Sequence, residues 1–241
     1  MNRLRITPSV IPNLFTSLNM FCGFLSLINA ADGNYNYAAS LILVAALFDA
    51  LDGLVARLTN SSSELGVELD SLSDIVSFGA APSFLMYKTY FYQFDAIGIV
   101  LSSLPLIVGG FRLARFNVQL VGYEKSFFIG LPIPSSALTI STFVLAFYNE
   151  GFSEQHSTII IPMILILSFL MVSNIRYETM PKLTLKGMKE KPFHFLFLIV
   201  AAVLVIFTFK LGLFIIFVFM IVFGILKHIY YKVKTALSAD S

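Results

Sequence analysis

Charge is scarce in this sequence. Only 12% of its 241 residues are Asp, Glu, Lys or Arg, and 57% are hydrophobic. A soluble domain carries roughly twice that share of charge. A soluble core of this size could not bury so much apolar surface, so lipid must solvate most of the chain. Cysteine is nearly absent too. The single Cys22 rules out an intrachain disulfide, has no partner for a zinc site, and reads as helix packing inside an apolar run. The three histidines, His156, His194 and His228, sit at segment ends and receive no role. A net charge of +2 gives no reason to expect a nucleic-acid partner. Alternating polarity of the kind a membrane barrel needs is also missing, which leaves helices as the spanning element.

What is present is a series of eight apolar segments, near 12–30, 37–57, 70–90, 96–117, 134–149, 157–174, 193–209 and 211–230. About 20 residues of helix cross a hydrocarbon core, and the fifth and seventh segments are short but tolerable with local thinning. The first segment follows Arg3 and Arg5 as a signal peptide would. Pro12, Asn13 and Thr16 interrupt the apolar core that cleavage requires, so it is read as a retained span. With both termini cytoplasmic, 14 of the 16 basic residues fall inside and only Lys88 and Lys210 outside, as the positive-inside rule asks. The loops 30–37 and 149–157 hold no Lys or Arg. The expected organisation is a transmembrane core over 1–175, a basic cytoplasmic linker over 176–192 near anionic lipid, and a C-terminal helical pair with its tail over 193–241.

The second and third segments carry the chemistry. Asp49 and Asp52 stand three residues apart on one helix and face the same way. Gly66, Asp70 and Asp74 repeat every four residues and form one stripe on the next. A short loop joins the helices, so the acidic faces can meet. An Asp at the centre of a span costs on the order of 2.5–3.5 kcal/mol, and converging carboxylates repel one another besides. Arg57 is the only nearby cation. Divalent cations resolve the conflict: an all-oxygen donor set suits Mg²⁺, Mn²⁺ or Ca²⁺, and four bridging carboxylates could hold two ions, an arrangement suited to displacement at phosphorus. Gly53, beside Asp52, and Gly66, one turn before Asp70, leave the backbone open to close approach. Arg57 lies two turns past Asp49, where a guanidinium could clamp a phosphate. Taken singly, each Asp could instead cap a helix end or face water.

The pattern Asp-x2-Asp-Gly-x2-Ala-Arg-x8-Gly-x3-Asp-x3-Asp over 49–74 resembles the signature of the CDP-alcohol phosphatidyltransferases, with every fixed position met. The resemblance implies an all-α membrane protein with a six-helix core plus two C-terminal helices. It also implies a homodimer in the cell (inner) membrane, and an active-site cavity open to the cytoplasm. It implies that Asp49, Asp52, Asp70 and Asp74 bind two metal ions, Mg or Mn, that Asp74 is also the catalytic base, and that Gly53, Arg57 and Gly66 contact the CDP part of a lipid donor, CDP-diacylglycerol.

Outside the signature, three stretches are similar to the serine-accepting members of that family: Pro12–Asn19, Ser77–Pro82 and Phe111–Asn117, with Gly130–Pro134 adding to them. By this resemblance Asn13 and Thr16 contact the cytidine or ribose, although both could serve as helix caps. Arg112 and Arg115, three residues apart at a helix end, would bind the carboxylate of L-serine, or else snorkel to the interface. Glycerol 3-phosphate remains the alternative acceptor, with Arg112, Arg115 and Lys125 as its basic cluster. A cation transporter is the remote alternative, and no second acidic pair mirrors the first as its repeats would require.

Overall fold

The computed structural model describes residues 10–59, 61, 63–119, 127–178 and 208–239. The first two helices form an antiparallel hairpin, α1 (Val10–Ala31) and α2 (Tyr35–Leu58). Small residues let them approach closely: Ala38 and Ala39 are fully buried, and Ser26 Oγ donates to the Ala38 carbonyl at 2.9 Å.

The third crossing is not one regular helix. α3 (Glu64–Asp74) starts at a Ser63 cap whose hydroxyl accepts from the Gly66 N–H at 3.1 Å. It runs into a π-helical turn at Ile75–Ala80 and continues as α4 (Ala81–Thr89). Pro82 supplies the cause. It has no N–H, and its ring would collide with the carbonyl four residues back. The wider turn absorbs this by letting the Ala81 N–H donate to Val76, five residues earlier. The sequence places the crossing at 70–90, but its helix begins six residues sooner, at Glu64.

α5 (Asp95–Gln119) returns after a short 3₁₀ turn at Phe91–Phe94. It contains Pro105, and the Leu106 N–H donates to Ser83 Oγ on α4 at 3.1 Å. Beyond it, β1 (Phe127–Ile129) pairs antiparallel with β2 (Arg176–Glu178), with Phe128 opposite Tyr177. Between the strands lie α6 (Ile133–Phe147) and α7 (Glu154–Val172), the latter capped by Ser153. The last described element is α8 (Phe209–Ala239). Arg176–Glu178, which open the expected linker, thus form a strand. The rest of that linker, and almost all of the seventh segment at 193–209, lie outside the described residues.

This is an α-helical, multi-pass membrane protein. Among the described residues, five stretches are long and apolar enough to cross a bilayer: α1, α2, residues 91–118, α7, and α8 as far as Thr235. α6, at 15 residues, is the short fifth segment of the sequence. The ends of the helices sort into two levels. At one level Tyr35 meets Tyr148, Tyr90 meets Phe152, and Phe147 meets Phe214. At the other, Asn13 lies against Gly66, and Asn117 Nδ2 donates to Ser71 Oγ at 2.9 Å. The loops 30–37 and 149–157 therefore share one end, and the acidic residues face the other.

Candidate metal centre

The stripe on α3 and the C-terminal half of α2 meet. Asp49, Asp70 and Asp74 each bring one carboxylate oxygen into a group whose atoms all lie within 4.8 Å of one another. Asp74 is buried, and Asp49 and Asp70 are half-buried. Two like unit charges at that separation repel by on the order of 3 kcal/mol at an effective dielectric constant of about 20. Asp70 Oδ1 and Asp74 Oδ1 are buried and have no hydrogen-bond partner among the described residues. Buried carboxylate oxygens without donors are costly, and a hard divalent cation would satisfy them. With no His or Cys in the group, the donor set fits Mg²⁺ or Mn²⁺.

Asp52 is placed differently. It is buried on α2, and its Oδ2 accepts a hydrogen bond from Thr16 Oγ1 at 2.8 Å. It stays within electrostatic reach of Asp70 and Asp74 but is not among the converging atoms. Both residues stand out in the sequence but their pairing does not, because 36 positions separate them.

α1 is stitched to the acidic helix by two serines. Ser73 Oγ donates to the Thr16 carbonyl at 3.0 Å, and Ser77 Oγ to the Asn19 carbonyl at 2.9 Å. Steps of three residues on α1 and four from α3 into the π-helical turn keep these contacts in parallel register, with Asp74 between them. Gly23 makes the packing possible: a Cβ there would meet Ser77 Oγ and would lie 2.7 Å from Ser77 Cα. Gly66 also has a local reason, since a Cβ on it would stand 3.1 Å from Ser63 Oγ and 3.4 Å from Asn13 Oδ1. Gly53 is the contrast. A Cβ at Gly53 would meet nothing within 4 Å among the described residues, so none of them demands glycine there. Arg57 lies exposed one turn further along α2.

The two arginines of α5 separate. Arg112 is buried, sits 5.6 Å from the Phe116 ring centroid, and interacts electrostatically with Asp74. Arg115 instead grips backbone. Its guanidinium donates to the carbonyls of Val172 at 3.1 Å, Ile129 at 3.0 Å and Met171 at 3.4 Å. It thereby closes the C-terminus of α7, whose last carbonyls have no partner within the helix, onto the end of β1 and the loop that follows. Gly130 in that loop has φ of +81°, and a Cβ on it would meet the Met171 carbonyl. Nothing in the sequence signals this clamp, because its acceptors are main-chain atoms 14 to 57 residues away.

The chain matches the family model for CDP-alcohol phosphatidyltransferases over residues 9–172. Curated relatives agree. A CDP-diacylglycerol–serine O-phosphatidyltransferase of Helicobacter pylori is 40% identical over 174 residues, 72% of this chain and 73% of the relative. The archaetidylserine synthase of Methanothermobacter thermautotrophicus is 43% identical over 180 residues, 73% of each chain. A CDP-diacylglycerol–serine O-phosphatidyltransferase of Bacillus subtilis is 34% identical over 178 residues, 71% of this chain and 92% of the relative.

Proposed function

The chain belongs to the CDP-alcohol phosphatidyltransferase family, and we propose that it transfers the phosphatidyl group of CDP-diacylglycerol to the hydroxyl of L-serine, giving phosphatidylserine and CMP. The observation that carries this reading is the convergence of Asp49, Asp70 and Asp74 beside the buried Arg112. The names of the three relatives support serine as the acceptor.

Asp49, Asp70 and Asp74, with Asp52 alongside, would hold divalent cations, Mg²⁺ or Mn²⁺, two per active site. Bound there, such cations neutralise charge on the pyrophosphate of the donor. Asp74 acts as general base: it takes the proton from the serine hydroxyl as that oxygen bonds to the lipid-side phosphorus and the bond to CMP breaks. A serine hydroxyl is a weak nucleophile at neutral pH, so this base is needed. Gly53 and Gly66 let the CDP headgroup approach the backbone, Arg57 pairs with its phosphates, and Asn13 and Thr16 border the cytidine end. Thr16 also fixes the rotamer of Asp52 through its 2.8 Å hydrogen bond.

Arg112 receives the serine carboxylate. Its burial and its electrostatic interaction with Asp74 support this role, since an acceptor held there would present its hydroxyl toward the base. The sequence pattern assigns Arg115 the same task, but its bonds to three carbonyls favour a positioning role. The active site and both termini face the cytoplasm, the protein sits in the inner membrane as a homodimer, and residues 1–175 form the catalytic core. The test is acceptor choice. Purified protein with CDP-diacylglycerol and Mn²⁺ should form product with serine and not with glycerol 3-phosphate or inositol phosphate. Turnover with glycerol 3-phosphate and none with serine would overturn the assignment.

A further inference from the structure

Phosphatidyl transfer as described makes no use of the far end of α8. The helix has 31 residues, Phe209–Ala239, and at 1.5 Å per residue is about 46 Å long. That exceeds a hydrocarbon core of about 30 Å and matches the roughly 40–45 Å of a bilayer with its headgroups. Two contacts set its depth. Phe214 packs on Phe143 and Phe147 toward the end opposite the acidic cluster. Gly224 receives the ring of Tyr177, from the β1–β2 pair at the acidic end, so closely that a Cβ would collide with it. The turns beyond Gly224 therefore lie at headgroup depth in the leaflet that holds the acidic cluster.

Those turns are sorted by face. At roughly 100° per residue, Lys227, Tyr231 and Lys234 follow one stripe and His228 and Lys232 the stripe beside it. Leu226, Ile229, Tyr230 and Val233 occupy the opposite side, each at least 52% exposed. The Lys227 ammonium stands 6.0 Å from the Phe223 ring centroid and 5.9 Å from that of Tyr231, which directs it along the basic stripe. The whole of α8 contains no Asp or Glu. Lysines that merely set topology at a helix end need no such division into faces. A cluster of lysines on one side of a helix that carries no carboxylate, at this depth, fits the phosphate anions of the surrounding leaflet.

We propose that this face of α8 binds anionic phospholipid from the leaflet that holds the acidic cluster. The proposal stands independently of which acceptor the enzyme uses, and its test needs no turnover. Wild-type protein and a variant carrying Lys227→Gln, Lys232→Gln and Lys234→Gln are reconstituted in phosphatidylcholine vesicles. Trace spin-labelled phosphatidylglycerol or spin-labelled phosphatidylcholine is added, and the motionally restricted fraction of each label is read by electron spin resonance. The ratio of restricted phosphatidylglycerol to restricted phosphatidylcholine should exceed one in the wild type and fall about two-fold or more in the variant. It should fall likewise in the wild type near 1 M salt, where the screening length is about 3 Å. The three corresponding Lys→Arg replacements should keep the wild-type ratio. An unchanged restricted fraction of phosphatidylcholine shows that the variants still present an intact transmembrane surface. Equal ratios in the wild type and the Gln variant would overturn the proposal, as would selectivity that salt leaves untouched.

Discussion

Gly53 and Gly23 both lie inside helices beside the acidic cluster, and alanine should affect them in opposite ways. At Gly53 a Cβ meets nothing within 4 Å. Alanine is better than glycine in a helix interior by about 0.8–1.0 kcal/mol, so Gly53→Ala should leave stability unchanged or raise it by up to about 1 kcal/mol. Its cost should fall on the donor alone, because under the proposed role the methyl group would occupy the space that the CDP headgroup approaches. The value of kcat/KM for CDP-diacylglycerol should fall about ten-fold or more, equivalent to about 1.4 kcal/mol, with KM for serine little changed. At Gly23 the methyl meets Ser77, including its Cα at 2.7 Å. Overpacking costs typically 1–3 kcal/mol, and displacement of the 2.9 Å bond from Ser77 Oγ to Asn19 adds about 0.5–1.5 kcal/mol. A total of about 2–4 kcal/mol corresponds to a melting temperature lower by roughly 5–15 °C in a chain of this size. Cys22 provides the assay. As the sole cysteine, and buried, it becomes reactive to a thiol-specific fluorophore only on unfolding. Full activity in Gly53→Ala would refute a donor contact there, and a lowered melting temperature would refute the open space above it.

Further outcomes follow from the same geometry. Asp49→Asn and Asp70→Asn should each abolish most turnover while the protein still inserts, and Asp74→Asn should lower kcat by about 10²–10⁴ while CDP-diacylglycerol still binds; rates within two-fold of wild type would remove these residues from the centre. Arg112→Ala should raise KM for serine about ten-fold or more, since a charge-assisted hydrogen bond contributes roughly 1.5–3 kcal/mol. Arg115→Ala should instead lower the melting temperature through loss of its three carbonyl contacts and leave KM for serine nearly unchanged; the reverse pattern would exchange their roles. Cysteines placed in 30–37 or 149–157 should label from the periplasmic face of intact cells and a cysteine at 186 should not, and strong labelling at 186 would invert the topology.

The acidic stripe was legible because it is local. Asp70 and Asp74 share a face through helical periodicity alone, and the short 59–63 connection forces α2 and α3 to meet. The ends of α1, α2, α5, α6 and α7 were legible for a similar reason, since hydrophobic length sets them. Features that depend on distant backbone were not. The π-helical turn follows from Pro82 acting on the turn before it, inside a run that reads as one uninterrupted span. The bond from Thr16 to Asp52 and the clamp of Arg115 join positions 14 to 57 residues apart, with no periodic trace. Arg112 and Arg115, three residues apart, invite a single role, yet one is buried near Asp74 and the other caps α7.

The Asp49, Asp70 and Asp74 cluster should act as a cation-dependent centre for phosphatidyl transfer to serine. CMP release from CDP-diacylglycerol by the purified wild-type protein tests it most directly, measured with and without serine, and with Mn²⁺ or with excess EDTA. Release with an equal yield of phosphatidylserine is expected only when serine and the divalent cation are both present. Undiminished release in EDTA, or release that ignores serine, would contradict it.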